Sequence, residues 1–161
     1  MPLQILSFLH RRWPVWMVLC AAAGPAAAGP SDANPLLAER WKTRPVVVIA
    51  PSTDDPVVRT VLAATRSEEG RTAFATRDMV LFTVVGTKGQ RAGRDLSAAA
   101  TQALLQALDL PPSIGSDAVL VLVGKDGGTK LVQRHPVDLH AVYAEIDGMP
   151  MRREEAKRSP R

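Results

Sequence analysis

A single cysteine stands among 161 residues, aromatic side chains make up only 4% of them, and apolar runs are short. The lone thiol, Cys20, excludes an internal disulfide framework and any zinc site of the four-cysteine kind. The composition is 46% hydrophobic and 22% charged, with 11 Gly and 13 Pro. It excludes a disordered chain, a collagen-like chain and a multi-span membrane protein, and the length fits one domain. No internal repeat or long low-complexity tract is present.

What is there begins with an address. Residues 1–28 carry no acidic side chain, place Arg11 and Arg12 ahead of an apolar stretch from Trp13 to Ala23, and end in Ala26-Ala27-Ala28 before Gly29. This is the layout of a secretory leader cleaved after Ala28. Pro14, Gly24 and Pro25 interrupt the apolar stretch, which falls short of the roughly 20 residues a spanning helix needs. His10 stands where a twin-arginine signal has Ser or Thr, and Leu19 stands where lipoprotein processing before Cys20 requires a small residue. The general export route is the expectation, with a periplasmic or secreted product.

Charge of one sign is also scarce once the leader is gone. The whole chain has a net charge of +4, and two of its basic residues and none of its acidic ones leave with residues 1–28. The C-terminal segment 151–161 holds Arg152, Arg153, Lys157, Arg158 and Arg161, so the body from 29 to 150 is nearly neutral. A nucleic-acid footprint needs a basic face, and none remains. Cleavage also removes the only sulfhydryl.

Patterning predicts an N-terminal arm over 29–43 and a domain over 44–150, followed by a basic tail over 151–161. Val46 to Ala50 is an apolar run between Pro45 and Pro51, the signature of a strand buried on both faces. Asp55-Pro56 opens a helix with Val58, Val61, Leu62 and Thr65 on one face. Met79 to Val85 is a second strand, and 86–94 reads as a polar loop. Asp95 is expected to cap a helix whose apolar stripe runs from Leu96 to Leu108, ended by Pro111-Pro112. Ala118 to Val123 and Thr129 to Arg134 flank the turn Lys125-Asp126-Gly127-Gly128 and form a hairpin. Leu139, Val142, Tyr143 and Ile146 make the face of a last helix, stopped by Gly148 and Pro150. The order β-α-β-α-β-β-α predicts an α/β fold with a four-stranded mixed sheet and helices on both faces.

That order is the minimal thioredoxin fold. The residues Arg44-Pro45-Val46-Val47-Val48-Ile49-Ala50-Pro51, Asp78-Met79-Val80-Leu81, Val123 through Lys130 and Ile146 through Arg153 carry a closer resemblance. The chain resembles, over roughly residues 44–155, an uncharacterised peroxiredoxin-like family. Its domain of unknown function occurs in exported bacterial proteins and in vertebrate secreted sushi-repeat and coiled-coil-containing matrix proteins. The resemblance implies a thioredoxin-like fold. In redox thioredoxins a cysteine pair opens the first helix, where the helix N-terminus stabilises a thiolate. The equivalent stretch here is Ser52-Thr53-Asp54-Asp55-Pro56, which has no sulfur and cannot exchange electrons with a disulfide. Thioredoxins also carry a cis proline before the third strand, where this chain has Ser116-Asp117.

Ser52, Thr53, Asp54 and Asp55 lie where α/β sheets bind ligands, at the carboxyl end of a central strand. Asp54 is placed to act as a general base and Thr53 as a polar anchor. The same residue types are what a helix N-cap wants, and capping alone accounts for them. Lys88, Arg91 and Arg94 lie on the polar loop without the spacing of a phosphate loop. His135 and His140, with Asp138 between them, lack both a common helix face and further ligands, so no metal is expected. Arg152 and Arg153, beside Met149 and Met151, are either a partner contact or a solvated helix extension.

The expectation is an exported thioredoxin-like domain without thiol chemistry, serving as a binding module for an unidentified protein or small ligand and using no cofactor. Two alternatives stay open. One is an enzyme using Thr53 and Asp54 on an acidic substrate oriented by Arg91 or Arg94. The other is an envelope or export partner that engages through residues 149–153.

Overall fold

The computed structural model describes residues 33–110 and 117–158. The expected leader lies outside them, as do Pro111, Pro112 and Ser116. Short β-branched residues with no polar group form the centre of the fold. Strand β1 runs over Arg44–Ala50, with every residue except Ile49 buried. Its side chains alternate between two apolar layers. Val46, Val48 and Ala50 face one layer and Val47 the other.

Before β1, helix α1 spans Pro35–Glu39, with Asn34 as its N-cap. After β1 come α2 (Pro56–Arg66) and α3 (Glu68–Thr76). Asp55 caps α2 by accepting from the Val57 N–H at 2.8 Å, with Pro56 in the first turn. Ser67 ends α2 and caps α3. Gly70 is buried one turn into α3, close against the Ala64 carbonyl, where a Cβ would collide with backbone. Strand β2, Met79–Val85, then pairs parallel to β1, Arg44 opposite Met79 and Ala50 opposite Val85.

The sheet has six strands, not the four expected. Residues 86–94, read as a loop, fold back as β3 (Lys88–Arg91), antiparallel to β2, and the two-residue β4 (Arg94–Asp95). Gly86 makes the reversal at φ +58°. A strand near the sheet margin needs little apolar side chain, which hid it from a hydrophobicity reading. Its one buried residue, Gly89, lies beneath Thr101 of the next helix with no room for a Cβ. The expected Asp95 cap is corrected for the same reason. Asp95 belongs to β4 and accepts from the Gln90 amide at 2.7 Å, while Ser97 caps α4, Ala98–Leu108. Thr101 joins Ala100, Leu104 and Leu108 on the buried stripe of α4.

Strand β5, Val119–Val123, is buried throughout and runs antiparallel to β1. Strand β6, Thr129–Arg134, completes the expected hairpin as the more polar edge. The order across the sheet is β4-β3-β2-β1-β5-β6. Helix α5, Leu139–Gly148, is capped by Asp138 and buries Val142 and Ile146. The layer of α2, α3 and α5 covers one face of the sheet, and α1 with α4 covers the other. Each fully buried Val, Leu or Ile contributes about 1.5–3 kcal/mol. Pro150 does not stop the chain. It opens a further helix, α6, over Pro150–Arg158, in the segment read as a tail.

Candidate functional site

The strand directions define two ends. Ala50, Val85, Val119 and Arg134 lie at the upper end of the sheet, and Arg44, Met79, Val123 and Thr129 at the lower. The sequence-derived site is at the upper end. Ser52 to Asp55 form a tight turn between β1 and α2: the Asp54 N–H donates to Ser52 Oγ at 3.2 Å and the Asp55 N–H to the Ser52 carbonyl at 3.3 Å. Ser52, Thr53 and Asp54 are exposed, and Asp55 is half-buried at the cap.

A shallow cleft of about 360 Å³ adjoins this turn, lined by Asp55, Pro56, Asp117, Ala118, Arg134 and His135. Two carboxylates, a guanidinium and an imidazole thus line it together with Pro56 and Ala118. His135 precedes Pro136 through a cis peptide bond. Of the residues weighed from the sequence, Asp55 and His135 line the cleft, and Ser52, Thr53 and Asp54 do not. Asp117 and Arg134 escaped the sequence reading because they belong to strand ends remote in the chain, and only the β5–β6 register brings them together.

Arg91 and Arg94 are not brought to Thr53 and Asp54. Arg91 Nε donates to Glu39 of α1 at 2.6 Å, on the face opposite α2. Burial alone would raise the Glu39 carboxyl. Hydrogen bonds from Arg91 and Thr43, with the charges of Arg91 and Lys42, outweigh it and hold the group below its ordinary value. Asp138 serves as the α5 cap, His140 stands edge-on to Tyr143, and His135 lies at the cleft. Among the described residues no group of three His, Cys, Asp or Glu is arranged to hold a metal ion.

Sequence reasoning missed the ionic cluster at the lower end. Arg44 opens β1 and is 1% exposed, Asp78 precedes β2, and Lys125 follows β5. Their adjacent strand ends place them side by side. Lys125 Nζ donates to Asp78 and to Glu155 of α6, both at 2.7 Å. Arg44 Nη2 reaches the two Glu155 oxygens at 3.2 and 3.1 Å, and its Nη1 donates to the Arg77 carbonyl at 2.9 Å. Desolvation works to raise the Glu155 carboxyl. The hydrogen bond from Lys125, the charge and hydrogen bonds of Arg44 and the charge of Lys125 together pull it below its ordinary value.

Arg152 and Arg153 are at this end, on α6. Arg152 reaches Asp147 at 3.5 Å, a carboxylate that Arg77 already grips at 2.6 Å, and Arg153 is exposed. Arg77 also lies 4.9 Å above the Tyr143 ring, which meets Phe74 edge-on. The one signal available for the lower cluster was the placement of Arg44, Asp78 and Lys125 within the pieces that carried the family resemblance. Each is a charge flanking an apolar strand.

Together the six-stranded mixed sheet, its helices on both faces and the polar ends of its central strands define a mixed α/β domain. The sequence profile of the DUF4174 family, a domain of unknown function, matches residues 35–155, and the chain belongs to that family. The match begins in α1 and closes on Glu155, so it takes in every member of the lower ionic cluster. No curated protein and no solved structure matches the chain. Among the described residues no helix is long and apolar enough to cross a membrane.

Proposed function

We propose that the protein is an exported, thioredoxin-like domain that has given up thiol chemistry and works as a binding module through the upper end of its sheet. The reading is supported by the order β2-β1-β5-β6, with β1 and β2 parallel and β5 and β6 antiparallel to their neighbours, which is the arrangement of the thioredoxin fold. The observation that carries it is the turn between β1 and α2. The position that holds a reactive cysteine pair in that fold is here occupied by Ser52, Thr53, Asp54 and the capping Asp55, beside the cleft of Asp117, Arg134 and His135. Hydroxyl and carboxylate groups can bind and orient a ligand but cannot pass two electrons to a disulfide. The small-residue end of the leader supports export, and Cys20 leaves with the leader.

Two measurements test the reading. Mass spectrometry of protein recovered from cells is expected to find Gly29 at the amino terminus. Disulfide-reductase and thiol-peroxidase assays on that material are expected to show no turnover. An intact terminus carrying an oxidised Cys20, or turnover by the cleaved chain, overturns it. Photocrosslinking from position 53 in intact cells is expected to trap a partner, and the same probe at Thr72, on the outside of α3, is not.

The rival reading, an enzyme acting through Thr53 and Asp54 on an acidic substrate, retains its polar anchor and base but has Arg91 held elsewhere by Glu39. In that reading Arg134, which lines the adjoining cleft with Asp55, would take over the orienting role. Loss of an activity in Asp54→Asn at unchanged melting temperature would favour this rival.

A further inference from the structure

Helix α6 is polar all round and buries no side chain. A helix of that kind needs something other than an apolar stripe to hold it in place. Here the hold is ionic. Glu155 reaches down to Arg44 and Lys125, and Arg152 reaches Asp147. The two cations beneath Glu155 are 1% and 9% exposed, which is rare for Arg and Lys unless they are paired. With Asp78 as the third member, the cluster carries one net positive charge until a single carboxylate completes it.

The pairing is also unfinished. Glu155 meets Arg44 through Nη2 alone, and Arg44 Nε is buried without a hydrogen-bond partner. A guanidinium presents Nε and Nη2 as parallel donors, and a carboxylate seated side-on takes both. Glu155 leaves one of the two donors unused, so a carboxylate able to sit deeper would make a bond the chain's own occupant does not.

We propose that Arg44 and Lys125 form a carboxylate-binding site at the lower end of the sheet, with Glu155 as its resident occupant, and that an acidic side chain of a partner polypeptide replaces Glu155 when α6 lifts away. The single residual charge of the cluster suits a monoanionic carboxylate better than a phosphate carrying nearly two charges. The site is separate from the upper cleft and does not depend on the function proposed for it.

The test uses the full chain and acetate as the probe, at constant ionic strength against chloride. Glu155→Ala opens the site and is expected to show a saturable rise in melting temperature with acetate, accompanied by shifts of the Gly124 and Lys125 amide resonances. Wild type should bind acetate at least tenfold more weakly, because Glu155 competes. Adding Lys125→Met to Glu155→Ala should cost at least tenfold in acetate affinity. Should Glu155→Ala be unfolded in buffer, refolding by acetate and not by chloride carries the same meaning. In wild type, α6 amides should exchange with solvent at least tenfold faster than those of α5. A Glu155→Ala protein that responds to acetate no more than to chloride overturns the site, and α6 amides as protected as those of α5 overturn its opening.

Discussion

At its upper end the sheet finishes in a turn of exposed hydroxyls and carboxylates whose bonds are local, Asp54 to Ser52 and Val57 to Asp55. At its lower end the same strands finish in charges that reach across the fold, Arg44 to Glu155 over 111 positions and Lys125 to Asp78 over 47. Local bonds shape a loop and leave its side chains free to meet something else. Long-range bonds to buried cations tie elements together and are expensive to leave half made, because a buried ion without its partner keeps its desolvation cost. The difference predicts that substitutions in the lower cluster cost stability as well as carboxylate binding, and that those in the exposed upper turn act mainly on binding.

The largest effect should come from Arg44→Ala. It removes a buried guanidinium together with its bonds to Glu155 and the Arg77 carbonyl and leaves Glu155 and Asp78 sharing Lys125. Loss of one member of a fully buried pair typically costs about 3–5 kcal/mol. With Glu155 26% and Asp78 47% exposed, the cost should fall at the bottom of that range, which denaturant unfolding would still read as a clear drop in midpoint. A loss of less than about 1 kcal/mol, the range of an exposed ion pair, would mean that the lower end is held no more firmly than a surface.

Acid should separate the two ends next. Glu155 and Glu39 both titrate below the ordinary 4.5 in the folded chain. Their pairings therefore contribute stability that is fully present above that value and is lost as pH falls through the lowered folded values. Unfolding free energy measured from pH 6 downward should hold steady and then decline below about 4.5. In Glu155→Gln, which has no carboxyl to protonate there, the decline should be shallower. An identical acid limb in the variant would remove Glu155 from the account.

The two ends also differ in how far the sequence disclosed them. β2 and β6 were legible to the residue and β1 except for its first two, because Val46 to Ala50 and Met79 to Val85 are apolar runs with punctuated ends and Thr129 follows a glycine turn. The Asp55 cap was legible too, since Asp followed by Pro is a local signal. β3 and β4 were not, because Lys88 to Arg91 pair through backbone and bury only a glycine, leaving hydrophobicity nothing to report. Nor was the ionic cluster legible. Arg44, Asp78 and Lys125 stand beside separate apolar strands and Glu155 lies in the segment read as a tail, and only strand register and the fold of α6 bring them within hydrogen-bond reach. Chemistry written within a few residues was readable, and chemistry that depends on topology was not.

At the upper end, Asp55→Ala deletes the bond to the Val57 N–H and should lower stability by about 1 kcal/mol, the ordinary worth of an N-cap. Restoring a capping side chain in Asp55→Ser should recover most of it. Because Asp55 also lines the cleft, the serine variant separates its two roles. Recovered stability with crosslinking from position 53 still lost would mean that the carboxylate meets the ligand, and recovery of both would leave Asp55 as a cap alone.

The smallest effect on stability, within about 0.5 kcal/mol, is expected from Asp54→Asn, an exposed substitution that keeps the side chain's shape and disturbs no bond the carboxylate makes within the described residues. That quietness is what makes it informative. Asp54 is tied into the turn through its backbone N–H, donated to Ser52 Oγ, so its carboxylate is left to solvent or to a ligand. A fall in partner crosslinking from position 53 in this variant, at an unchanged unfolding midpoint, would mark the upper turn as a surface kept for binding. Should the midpoint instead fall by as much as in Asp55→Ala, the carboxylate would be holding the turn together, and the contrast between a structural lower end and an available upper one would narrow to the cleft of Asp117, Arg134 and His135.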